Sequence, residues 1–296
     1  MVRRDMVRTS LNMTSPFERS GTESPWRRMA LHSWGRPRDP SAYGLLDVDV
    51  SAALRWIDEA RIGSLSHVTI THLIGAAVAR AIAAEPAVNA IVRRGQIWRR
   101  RSVDVFFQVA RDDGQDLLGA KIEHADEKSP LQIARDLEHH VAKIRGHRAG
   151  ALDQSGSMLR KLPVRFVRPL MRAIEMLTYD FGLDLRAVDI PYDAFGSVMV
   201  TNVGSFGLSN ALVPLVPFSR TPILVSVGAI RMAPVVSGPE VVVRPVISLG
   251  VTLDHRVLDG AQAGRLATRL LSILREPSTS FGDPRAAHGD AYVTNA

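Results

Sequence analysis

Three strand-length runs rich in β-branched residues crowd the C-terminal third of the chain: SVMVTNVG from residue 197, PILVSVGAI from 222 and VVVRPVISLGVTL from 241. Such runs must each find neighbours and a covered face, so they commit the chain to a sheet backed by a large core. Upstream, helical and strand patterns alternate. Ala42 to Val50 (AYGLLDVDV) alternates as a half-buried strand, and Ser51 is expected to cap the helix SAALRWIDEARI. VTITHLIGAAVARAIAA, residues 68–84, is apolar on most faces and predicts a buried helix closed by Pro86. Gln96 to Val109 reads as two strands around RRRS, and Leu117 to Ile122 as another. Ser129 with Pro130 opens a helix to about Arg145, and Gly260 to Arg275 forms the last one. Strands and helices that alternate early and strands that cluster late predict one α/β domain with a mixed sheet, spanning 41–277. A flexible arm, 1–40, would precede it and a polar tail, 278–296, would follow.

With 296 residues, 46% of them apolar, the core needs no staple. The absence of cysteine excludes disulfides, thiolate metal sites and a cysteine nucleophile. No apolar run reaches the length of a membrane span, and the first 25 residues lack the apolar stretch of a secretory signal. Those residues are Arg- and Ser-rich, as in a transit peptide, but Asp5, Glu18 and Glu23 oppose that reading. The cytoplasm is the expected location. The net charge of +7 suits an anionic partner without choosing phosphate, nucleic acid or membrane.

The chemistry concentrates in Leu253-Asp254-His255-Arg256-Val257-Leu258-Asp259-Gly260, between the last apolar run and the last helix. A histidine at a strand end can serve as general base, since an imidazole ordinarily titrates near pH 6.5. A carboxylate four residues on can orient it or position a cation. The plainer alternative makes His255 a turn residue and Asp259 a helix cap.

DHRVLDGAQAGRL resembles the active-site motif, His-x-x-x-Asp-Gly, of the dihydrolipoamide acyltransferases, the catalytic domains at the core of the 2-oxoacid dehydrogenase complexes. Chloramphenicol acetyltransferase is a structural relative of that family. Three further segments agree in order: VTITHLIGAAVARAIAAEPAVNA, SVDVFFQVA and GSVMVTNVGSFG, so the resemblance covers about residues 42–276. It implies a two-layer α/β sandwich with a mixed sheet, the coenzyme A-dependent acyltransferase fold, assembled as a homotrimer. It implies acyl transfer between a coenzyme A thioester and a thiol or other small acceptor. His255 would be the general base and Thr201 the hydroxyl that donates to the oxyanion, while Asp259 would hold the geometry. Asn202 and Ser205, in the same turn as Thr201, become candidate coenzyme A contacts; no metal is implied. In the family the base and the hydroxyl come from neighbouring subunits. Without the resemblance, Thr201 reads as an ordinary strand residue.

The chain also departs from the family. Forty residues ahead of the domain cannot hold a lipoyl domain and its linker, so a stand-alone enzyme without its own lipoyl arm is expected. The family's Thr-Pro step reads Gly119-Ala120, and EPSTSFGDPRAAHGDAYVTNA does not resemble its hydrophobic C-terminal anchor, so a trimer is expected and a cage would need other contacts. The largest departure is a basic amphipathic insert, Met158 to Leu185, which Pro163 and Pro169 are expected to split into two short helices. It could pack on its own trimer, form a lid over an acyl pocket or touch an anionic membrane. Arg93, Arg94, Arg99, Arg100 and Arg101 around Trp98 form either a solvated face or a contact for coenzyme A phosphates; nucleic acid is not expected as a partner. Arg27 and Arg28 are candidates to pair with Asp259, and His139, His140 and His147 read as surface. A second class of function stays open: a non-catalytic, self-assembling scaffold on the same fold.

Overall fold

The computed structural model describes residues 39–62, 67–111, 116–146, 163–185 and 192–285, and Pro40 onward forms one unit. In chain order the elements are β1 (Ser41–Asp49), α1 (Ser51–Arg61), α2 (Ile70–Ala83), β2 (Ala90–Arg93), β3 (Gln96–Arg99), β4 (Val105–Arg111), β5 (Asp116–Ile122), α3 (Pro130–Gly146), α4 (Val164–Glu175), β6 (Val198–Asn202), β7 (Ile223–Val227), β8 (Arg231–Ser237), β9 (Glu240–Asp254), α5 (Gly260–Arg275) and α6 (Pro277–Phe281). The seven-stranded sheet runs β1-β9-β7-β6-β4-β5, with β8 on the first half of β9. The β4–β6 and β6–β7 pairs are parallel and the rest antiparallel, so the sheet is mixed as expected. The short β2–β3 hairpin stands apart as a second sheet.

Strand alternation sorts side chains onto two faces. Val198, Val200, Ile223, Val225 and Leu249 meet Trp56 of α1, Leu73 of α2, Ile133 of α3 and Leu274 of α5 in one large buried cluster. Burying each such side chain contributes about 1.5–3 kcal/mol, which is how a helix layer stays on a sheet. On the opposite face Phe106, Met199 and Leu224 form a smaller cluster with Phe195, Val213, Leu215 and Val216. Residues 208–216 are strapped across this outer face: the Ser226 hydroxyl donates to the Ala211 carbonyl, and that of Thr252 to Val213 at 2.6 Å. Only glycine fits beneath the strap, since a Cβ at Gly250 would lie 2.0 Å from the Ala211 carbonyl oxygen.

Two local expectations are corrected. Ser51 is the first residue of α1 rather than its cap; its N–H donates to Asp49 Oδ1 at 2.9 Å, because the carboxylate two residues earlier reaches that amide first. Pro169 does not split the insert, since α4 runs through it from Val164 to Glu175. A proline inside a helix removes one N–H bond, and at an exposed position water can satisfy the carbonyl that this leaves without its partner. Ser129 does cap α3, its hydroxyl accepting the Gln132 amide at 3.2 Å while Gln132 Oε1 accepts the Ser129 amide at 2.8 Å. The arm up to residue 38, residues 147–162 and the tail from 286 lie outside the described residues, as do Arg27, Arg28 and His147.

Candidate active site

β9 ends in a turn built to present His255. The Asp254 carbonyl accepts the amides of Val257 at 2.9 Å and Leu258 at 3.0 Å, and both apolar side chains are buried beneath. The Asp254 carboxylate, itself buried, accepts the Arg256 amide at 3.0 Å and its guanidinium at 2.6–3.2 Å. That hydrogen-bonded pairing raises the Arg256 pKa above its ordinary value. The His255 amide donates to the Pro40 carbonyl at 2.9 Å, while the side chain stays exposed between two anchored neighbours. Asp259 caps α5: its Oδ1 accepts the Gln262 amide at 2.8 Å, and Gln262 returns a bond to the Asp259 amide at 2.9 Å.

Thr201, the penultimate residue of β6, is buried on the outer face, the side of the sheet that carries Met199. Asn202 locks the turn that follows, its amide donating to Thr71 Oγ1 of α2 at 3.0 Å and its Oδ1 accepting the Ser205 amide at 3.1 Å. Ser205 Oγ donates back to the Asn202 carbonyl at 2.8 Å. Asn202 and Ser205 therefore spend these bonds on the shape of the turn that holds Thr201.

The structure does not bring His255 and Thr201 together within one protomer. Thr201 lies opposite Ser226, which lies opposite Gly250, so His255 is five residues further along β9 and two strands across. Strand rise and spacing make that about 19 Å, with the two side chains on opposite faces of the sheet.

Sequence reasoning missed three features nearby. His72 accepts the Thr69 amide through Nδ1 at 3.2 Å at the start of α2, and burial pushes its pKa down to about 4. Its place three residues after a threonine, at a helix start, is the signal that could have revealed it. Arg220 pairs with Asp180 at 2.7 and 2.9 Å and with Glu175 at 2.7 Å, clamping the end of α4 to the main body and raising the arginine pKa. The Asp254–Arg256 pair is the third. The arginines of the β2–β3 hairpin are largely consumed in the same region. Arg93 stacks 5.0 Å from the Trp98 ring and donates to the Asp180 carbonyl, Arg94 lies 4.6 Å from the Phe181 ring, and Arg100 pairs with Asp193 at 2.7 Å. The Gly119 departure has a steric partner, because a Cβ there would sit 1.8 Å from the Phe106 ring, which packs on Phe195 at 4.9 Å. His139 and His140 are exposed on α3, and among the described residues no metal-ligating group of three stands together.

Comparison with known proteins decides the family. The model for the 2-oxoacid dehydrogenases acyltransferase catalytic domain matches residues 37–160 and 194–281. The chain belongs to this family. The candidate residues Thr201, Asn202, Ser205, His255 and Asp259 all lie in the second 2-oxoacid dehydrogenase acyltransferase segment, and the break between the two segments falls on α4 and its flanks. Among curated relatives, the dihydrolipoyllysine-residue acetyltransferase component of the acetoin cleaving system of Bacillus subtilis is 26% identical over 220 residues, 74% of this chain and 44% of that protein. The chain thus spans less than half of that relative's length. A probable dihydrolipoamide acetyltransferase from Listeria monocytogenes shares the fold at a TM-score of 0.60 and 20% identity, covering 88% of this chain and 95% of that one. The cubic core of a pyruvate dehydrogenase multienzyme complex gives 0.59 and 20%, covering 82% and 84%.

Proposed function

We propose that the protein transfers an acyl group between a coenzyme A thioester and a thiol, at a site assembled between copies of the chain. One observation carries the reading: within the family's matched region, His255 is exposed on a turn whose every neighbour is locked. The neutral imidazole takes the proton of the attacking thiol, which at its ordinary pKa of about 8.5 is mostly protonated at neutral pH. The thiolate sulfur bonds to the thioester carbonyl carbon, and the carbonyl electron pair moves to oxygen. There it accepts a hydrogen bond from the Thr201 hydroxyl of a neighbouring copy, a donor worth about 3 kcal/mol in the transition state. Collapse restores the carbonyl, breaks the original C–S bond and returns the proton from imidazolium to the departing thiolate. Asp259 and Asn202 hold the two turns.

Two observations support assembly of copies of the chain, which the family resemblance makes a homotrimer. The separation of His255 from Thr201 in one protomer requires that one of them act across an interface. Exposed apolar side chains also line the β8–β9 hairpin, with Val236 75% and Val241 72% exposed, as expected of a surface that self-associates. The curated relative's name points to a dihydrolipoyl thiol as one acceptor class, and a cytoplasmic pool of acyl thioesters fits the same chemistry. Thiol release from acyl-coenzyme A with dihydrolipoamide as acceptor tests this directly. His255→Ala is expected to fold normally and lose at least about a hundredfold in rate. No turnover with any acyl chain, together with a discrete high-mass particle, would favour the scaffold reading instead.

A further inference from the structure

We infer that each protomer holds, behind His255, a pocket for the aliphatic tail of the acyl group, so that the preferred substrates are medium-chain rather than acetyl thioesters. The inference rests on the acyl-transfer reading and names its substrate class. A cavity of about 340 Å³ lies between α5, α2 and the strands β1, β9 and β7. It opens to solvent along Gly44, Gly260 and Gly264, and its volume is within the range of small-molecule pockets. Small residues create it. Ala42 and Gly44 face inward on β1, in phase with Leu46, and Ala263, Gly264 and Ala267 line it from α5. A Cβ added at Gly44 or Gly264 would meet nothing within 4 Å.

Apart from Tyr43, His255 and Asp259, every lining residue is aliphatic or glycine. Among the described residues no Lys or Arg lines it, so these offer a phosphate or nucleotide nothing to bind, and an apolar cleft of this kind takes an apolar ligand. Its polar members gather at one end. His255 and Asp259 flank the exposed turn. An occupant with one polar group at that end and a hydrocarbon tail behind it is an acyl chain whose thioester carbonyl lies near the imidazole. None of the lining residues comes from α4, so the described part of the insert is not a lid over this pocket.

Calorimetric titration of the wild-type protein with acetyl-, butyryl- and octanoyl-coenzyme A tests the pocket. Each buried methylene is worth about fourfold, so octanoyl is expected to bind at least about tenfold tighter than acetyl. Gly264→Leu and Gly44→Val place bulk in the open space, while improving helix and strand propensity respectively, and reduce that preference to within about twofold. His255→Ala keeps the preference, because the chain and not the base is being recognised. Equal binding of all three thioesters by the wild type, or a preference that survives both filling variants, overturns the pocket. Acyl transfer that persists without any length preference removes the inference and leaves the proposed function standing. A length preference without transfer does the reverse.

Discussion

At the scale of single residues, exposure and fixity are combined at His255 because its neighbours do the anchoring. The buried Asp254 carboxylate holds Arg256, Val257 and Leu258 are sunk in the core, and the imidazole is left to solvent. The motif was legible because its residues are contiguous, and so was the cap made by Asp259. The Asp254–Arg256 pair was not, since charge spacing alone does not say which carboxylate is buried. Thr201 makes the sharper test. Thr201→Val keeps the shape and burial but removes the donor, so the turnover rate is expected to fall about a hundredfold with the melting temperature unchanged. Thr201→Ser retains the hydroxyl and should stay within about tenfold of wild type in the same assay. Equal rates for all three would remove the oxyanion role.

At the scale of elements, the entry to α2 decides how the protein responds to acid. Folded His72 is held at about 4, below its ordinary 6.5, chiefly by burial. The unfolded chain therefore binds more protons than the folded one between those values, and stability falls as pH drops through that window. The loss at pH 4 relative to pH 7 should approach about 3 kcal/mol from this group. Chemical denaturation at both pH values measures it, and His72→Gln should flatten the dependence. The same helix receives Asn202 through Thr71, so the turn behind Thr201 should loosen along with it. α4 shows where pattern reading falls short: an interior proline predicted a break, but Pro169 lies on an exposed face and the helix continues. Arg220 then fixes the helix's C-terminal end through Glu175 and Asp180, contacts 45 and 40 residues away in sequence.

At the scale of the whole molecule, a sheet that places base and hydroxyl about 19 Å apart predicts complementation between copies. His255→Ala and Thr201→Val proteins, each inactive alone, should recover activity when unfolded together and refolded as mixed oligomers. Random assortment at equal amounts restores about a quarter of the interfaces, each pairing an intact His255 with an intact Thr201. Recovery of nothing, with mixed oligomers present by mass, would show that both groups do not act at one shared interface.

The sequence by itself determined the mixed α/β sheet, most element positions and the candidate site residues, because β-branched runs, helix caps and a contiguous motif are all local signals. Tertiary structure alone decided which arginines are spent on internal ion pairs, that α4 runs on through Pro169, and that a cavity opens behind His255. It also decided that His255 and Thr201 stand on opposite faces of one sheet. Those outcomes depend on strand order, register and burial, which arise from contacts between residues far apart along the chain.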